Sequence, residues 1–149
     1  VNLMLQPLGT LNGCTAALLF LNGELFCHAL LHTPLPAGDY TLHIDRAPAR
    51  TPRWFEHTAH LDTQKARGGN KGAARIAHGV LRVQGTDVLL CADTTADGDD
   101  IAIGYKSQLG PRGPSLTDYV AAYHALYLAA LAAEDAKEPI NLTVRDGLV

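Results

Sequence analysis

The chain has 149 residues, of which 47% are hydrophobic and 18% charged, with a net charge of -3. That length supports one hydrophobic core and is short for two, so a single domain over residues 1–149 is expected. The twelve Lys and Arg are scattered rather than gathered into a face or run, which argues against nucleic acid or an anionic membrane as partner.

Cys14, Cys27 and Cys91 are odd in number, lack CxxC spacing, and each lies in or beside an apolar stretch. This is the pattern of reduced, buried thiols. The early apolar run AALLFLNGELF is interrupted by Asn22-Gly23 and Glu24 and has no basic lead, so it reads as neither signal peptide nor membrane span. A soluble, cytoplasmic protein is expected. The valine at position 1 leaves room for an upstream piece, and export by a partner apparatus stays open. No pattern specifies an oligomeric state.

In chain order, Thr15 to Phe20 and Glu24 to Leu30 flank Asn22-Gly23, a dipeptide that favours the positive backbone angles of a type I′ hairpin. Thr33-Pro34-Leu35-Pro36-Ala37-Gly38 is extended and then turns, because proline removes a donor and restricts its predecessor. A strand over Asp39 to Ile44 follows. Periodicity then fails, and residues 46–76, ending in KARGGNKGAAR, read as one long irregular loop of the kind that is functional or disordered.

A second hairpin is expected from Gly79 to Val83, through Gln84-Gly85, to Thr86–Cys91, with a short strand at Ile101 to Tyr105. Ser115 is placed to cap a helix, with Asp118 as its capping-box partner. Leu116, Tyr119, Val120, Tyr123, Leu126, Tyr127, Ala130 and Leu131 recur at intervals of three and four and form one buried stripe. The helix ends before Pro139, and Ile140 to Val144 returns as a strand. The sum is an α+β fold, mainly β: an antiparallel-rich sandwich or barrel with one C-terminal helix packed on it.

The stretch VLLCADTTADGDDIAIG, residues 88–104, carries Asp93, Asp97, Asp99 and Asp100. Asp93, Thr95, Asp97 and Gly98 match the first, third, fifth and sixth places of an EF-hand loop, but Gly104 stands where a bidentate glutamate closes the shell. A turn whose aspartates bond local amides is the simpler reading. A looser calcium site is the alternative. His28 and His32 are four apart on a strand end, which separates them; His57, His60 and Asp62 lie within one short segment and offer a candidate zinc set. No other cofactor is implied.

Arg67-Gly68-Gly69-Asn70-Lys71-Gly72 lacks the ending and the flanking strand and helix of a phosphate loop. Arg46, Arg50 and Arg53 beside Trp54 could hold a carboxylate or a sugar face, or Trp54 could simply cover the core. Cys91 is the one candidate catalytic nucleophile, and its acidic neighbours oppose thiolate formation.

The stretches CTAALLFLNGELFCHALL, LPAGDYTL, RTPRWF and VLLCADTTADGDDIAIG together resemble a small bacterial and phage domain family of uncharacterised function, similar in pattern to L,D-transpeptidases. The resemblance spans most of the chain outside residues 57–78. Where that pattern carries histidine this sequence has Cys91, where it carries Gly-Cys there is a shortened loop with Asp99 and Asp100, and its glutamate is Leu31. Transpeptidation needs a thiolate and an imidazole, so the resemblance implies a catalytically degenerate domain. Such a domain would bind a cell-wall fragment or a protein partner through a groove formed by Trp54, His57, Cys91, Asp93, Asp97, Asp99 and Asp100. A hydrolase or transferase using Cys91, and a metal-binding protein using His57, His60 and Asp62 or the 93–100 loop, are the competing readings.

Overall fold

Two Asn-Gly pairs start the fold. In this computed structural model, which describes residues 1–45, 80–96 and 98–146, Asn12-Gly13 and Asn22-Gly23 take positive φ at both positions, the type I′ geometry that matches strand twist. They join β1 (Asn2–Leu11), β2 (Cys14–Leu21) and β3 (Glu24–Leu31) into an antiparallel meander. The second pair is the hairpin expected from sequence. The first adds a strand, interrupted by a register shift between Pro7 and Gly9, that the sequence reading did not include.

After the proline-bearing link come β4 (Gly38–Asp45), β5 (Val80–Val83), β6 (Leu90–Cys91) and β7 (Ile101–Gly104). A two-stranded ribbon of β8 (Lys106–Gly110) and β9 (Gly113–Thr117) precedes the helix α1 (Tyr119–Asp135) and the last strand β10 (Ile140–Val144). Eight of the strands form one sheet in the order β5-β4-β10-β1-β2-β3-β7-β6. Its two ends meet: Arg82 bridges Leu89, and the Val83 amide donates to the Val88 carbonyl at 2.9 Å. The result is a nearly closed barrel, mainly β and mixed, with β1–β10 and β6–β7 parallel and the other pairs antiparallel. Among the described residues, no helix is long and apolar enough to cross a membrane.

Alternation places the core. Leu3 and Leu5, Ala17 and Leu19, Leu42 and Ile44, and Leu142 and Val144 point inward, while Asn141, Thr143, Thr41 and Asp39 face out. Helix α1 packs chiefly on β7 and reaches β4 and β10, burying Tyr123, Leu126, Tyr127 and Ala130 as the three-and-four spacing predicts.

Two expectations need correction. Ser115 does not cap the helix: it belongs to β9 opposite Gln108. Asp118 takes the N-cap position in a left-handed conformation without a side-chain cap, and its carboxylate lies 3.8 Å from Lys106 Nζ. Leu116 is accordingly a strand residue, fully buried against Gly104. The second correction concerns the hairpin over 79–91, which turns at Gly85 but makes only one bridge before β6 leaves to pair with β7. The cause is that Leu89 is claimed from the β7 side: its amide donates to Asp100 Oδ1 at 3.1 Å, and its carbonyl accepts from the Ile101 amide at 2.9 Å.

At the other end of α1 the chain closes in a Schellman arrangement. The Lys137 amide donates to the Glu134 carbonyl and the Glu138 amide to the Ala133 carbonyl, with Lys137 at positive φ. Pro139 then stops the helix and delivers β10.

The ribbon is held down where β9 crosses β7. A Cβ on Gly104 would sit 2.8 Å from the Thr117 carbonyl oxygen and 2.9 Å from Leu116 Cβ, distances that only displacement of β9 could relieve. Gly104→Ala should therefore destabilise the protein by about 1–3 kcal/mol, read as a lower denaturant midpoint at unchanged slope. An unchanged midpoint would show that β9 lifts freely from the barrel.

Candidate functional site

The residues singled out from sequence separate in the structure. Trp54, His57, His60, Asp62 and Asp97 lie outside the described residues. Cys91 has no exposed surface and sits in β6 opposite Ala102. Asp93 Oδ1 accepts from the Thr94 amide at 2.7 Å and from its hydroxyl at 3.3 Å, the local turn bonding expected of a short acidic side chain. Asp99 is exposed, whereas Asp100 is only 2% exposed and turned inward onto Leu89.

The described carboxylates of the acidic loop thus diverge rather than converge. Among the described residues no group of three His, Cys, Asp or Glu is disposed to hold a metal ion. His28 faces Ser107 at 3.5 Å and His32 faces Thr95 at 3.4 Å, each on a different loop or strand.

Burial also shapes the thiols. It pushes Cys27 up from 9.0 to about 12, against a smaller opposing pull from the Gly104 backbone. Cys14 is raised for the same reason, opposed by the Leu31 backbone. Both are packing groups of the meander.

A polar cluster that the sequence reading did not single out lies on the outer face of β4 and β5. His43 and Arg82 are cross-strand partners, and Arg82 Nη2 is 3.1 Å from His43 Nε2. Arginine only donates, so His43 Nε2 is the acceptor, and His43 Nδ1 is buried without a hydrogen-bond partner among the described residues. Arg82 Nε also lies 3.1 Å from Asp45 Oδ2 but forms no directed hydrogen bond there, so that attraction is Coulombic. Since Arg82 Nη1 donates to the Thr86 carbonyl at 3.3 Å, the cluster ties the β5 turn to β4.

Among the described residues, a cavity that can receive a ligand lies at one end of the barrel. Leu5, Leu31 and Val144 line a cavity of about 230 Å³, together with Pro34, Leu35 and Ala37 of the β3–β4 link. Thr10 and Thr15, whose hydroxyls are 3.0 Å apart, also line it, as do Pro7, Arg145 and Asp146. The strand register explains the convergence. Thr10 opposes Thr15, Thr15 opposes Leu31, and Leu5 opposes Val144, so four strands, β1, β2, β3 and β10, meet at one rim. The acidic loop is at the same end, since Ile101 opposes Leu31, but none of Asp93, Asp99, Asp100 or Cys91 lines this cavity. A second, open depression of about 410 Å³ crosses the outer face over Asn2, Asp39 and Asn141. Its polar groups already bond one another: Asn141 Nδ2 donates to Asn2 Oδ1, and the Thr143 hydroxyl to Asp39.

Comparison with known proteins finds no match to this chain among family models, curated proteins or solved structures.

The thiol environment generates two measurable expectations. A folded-state value raised to about 12 from 9.0 favours the neutral Cys27 thiol in the native protein. Its contribution to stability is therefore full below pH 9 and is lost as pH rises from 9.0 toward about 12. Cys27→Ala should flatten the alkaline decline of Tm; parallel curves for the two proteins would show that the thiol does not titrate there. Cys14, Cys27 and Cys91 are 4%, 2% and 0% exposed, so native protein should react slowly with iodoacetamide at neutral pH and quickly once unfolded. Fast labelling of Cys91 in the native state would restore it as a nucleophile.

Proposed function

We propose that this chain is a binding domain that performs no chemistry of its own and receives its ligand at the end of the barrel. The observation that carries this reading is the largely apolar, partly open cavity lined by Leu5, Leu31, Val144, Pro34, Leu35 and Ala37. Barrel mouths are places where side chains of several strands converge and leave room that the core does not fill. The burial of Cys91 favours the same reading over a cysteine hydrolase or transferase, because a nucleophile must reach its substrate.

The ligand class follows from the resemblance to L,D-transpeptidase-like domains: a cell-wall fragment or a protein partner. A volume of about 230 Å³ is below the ~300–1,000 Å³ that encloses a drug-sized molecule. Only one terminus or one aliphatic side chain of such a ligand would enter, with the remainder lying over the rim. This favours the peptide portion of a wall fragment over its sugars.

Calorimetric titration with soluble peptidoglycan fragments tests the wall version, with amide shifts at Leu5, Leu31 and Val144 locating the site. Saturable heat with shifts confined to that rim is the expected result. No heat at millimolar fragment would remove the wall ligand, and heat with shifts elsewhere would remove the cavity.

A further inference from the structure

The two hydroxyls in the cavity narrow its ligand further, on the reading that the cavity is the binding site. Each hydroxyl has one proton to donate and two lone pairs to accept with. Thr10 Oγ1 and Thr15 Oγ1 are 3.0 Å apart, so one proton is used within the pair, whichever atom donates. The other remains. Neither hydroxyl has a further hydrogen-bond partner among the described residues.

Thr15 is only 7% exposed, while Thr10 is exposed at the rim. Leu5, Leu31 and Val144 share the lining with Pro7, Arg145 and Asp146. Water has little access to the Thr15 hydroxyl, and an acceptor brought to that atom by a ligand would meet little competition. Among the described residues that line the cavity most are apolar, and none brings an aromatic ring to stack on a planar or sugar face. We infer that the cavity selects a compact aliphatic group bearing one oxygen acceptor, of the carbonyl type, which the Thr10–Thr15 pair binds through its remaining proton.

Cyclopentanone and cyclopentane are suitable probes, being alike in shape and differing by one acceptor oxygen. Both are titrated into ¹⁵N-labelled full chain, and the affinity ratio is compared with that of the double variant Thr10→Val, Thr15→Val. Replacing both partners by apolar groups of the same shape leaves no orphaned donor, so the variant should fold. Cyclopentane binding by the variant serves as the check that it has.

One neutral hydrogen bond predicts a preference of about three- to tenfold for cyclopentanone in the native chain, lost in the double variant. Equal binding of the two probes at Leu5, Leu31 and Val144 would overturn the assignment of the hydroxyl pair while leaving the cavity as a site. A preference that survives in the double variant would overturn it as well. Failure of both probes to shift these residues would overturn the assignment and the cavity together.

Discussion

Insertion of β10 between β1 and β4 is the contact on which the rest of the sheet depends. The strand order β5-β4-β10-β1 shows that β4 and β5 reach the meander only through this last strand. Remove β10, and among the described residues the Arg82–Leu89 bridge is the remaining strand-to-strand tie between the two halves. The residues of β10 meet both demands. Ile140, Leu142 and Val144 alternate into the core, and Asn141 and Thr143 bond outward to Asn2 and Asp39. A parallel pairing of Asn2 with Asn141 also joins positions far apart in the chain, and such non-local pairing slows folding because closure entropy precedes the reward. The cavity follows from the same event. Val144 forms one of its walls, so the site is complete only when the last strand has docked.

Local chemistry made much of this fold legible. Asn22-Gly23 fixed a hairpin, Pro139 fixed the end of the helix, and the three-and-four spacing named Tyr123, Leu126, Tyr127 and Ala130 as its buried face. Asn12-Gly13 carries the same turn signal as Asn22-Gly23. It was obscured because Pro7 and Gly9 interrupt the strand before it, where the register shifts. The ribbon of β8 and β9 was hidden for a different reason. Every residue of β8 is exposed, so no apolar alternation marks it, and Leu116 matched the helical spacing while being buried as part of a strand.

The candidate site was far less legible. Cys91 and the aspartates of residues 93–100 drew attention because reactive residue types stood close in sequence, yet the described ones point in different directions. Thr10, Thr15, Leu31, Leu35 and Val144 are ordinary residue types at scattered positions. Nothing in their local sequence marks them as a group. Only strand register brings them together, and register across β1, β2, β3 and β10 is a property of the whole sheet. The one available hint was the double proline at 34 and 36, which prescribes a stiff link between β3 and β4.

The seam of the barrel shows why Asp100 is where it is. A continuous β5–β6 ladder would satisfy the backbone groups along both edges, but β6 is two residues long and leans toward β7. Side chains take over the missing bonds. The Leu81 amide of β5 donates to the Tyr123 hydroxyl at 3.2 Å, and the Leu89 amide donates to Asp100 at 3.1 Å. Both amides are buried, where an unmet donor would cost about 1–3 kcal/mol. A carboxylate 2% exposed is therefore explained by the sheet it completes, with no metal ion needed to account for it. The same substitution explains the position of α1: Tyr123 must reach β5 from the helix, which sets the helix against the barrel at the place where strand pairing fails.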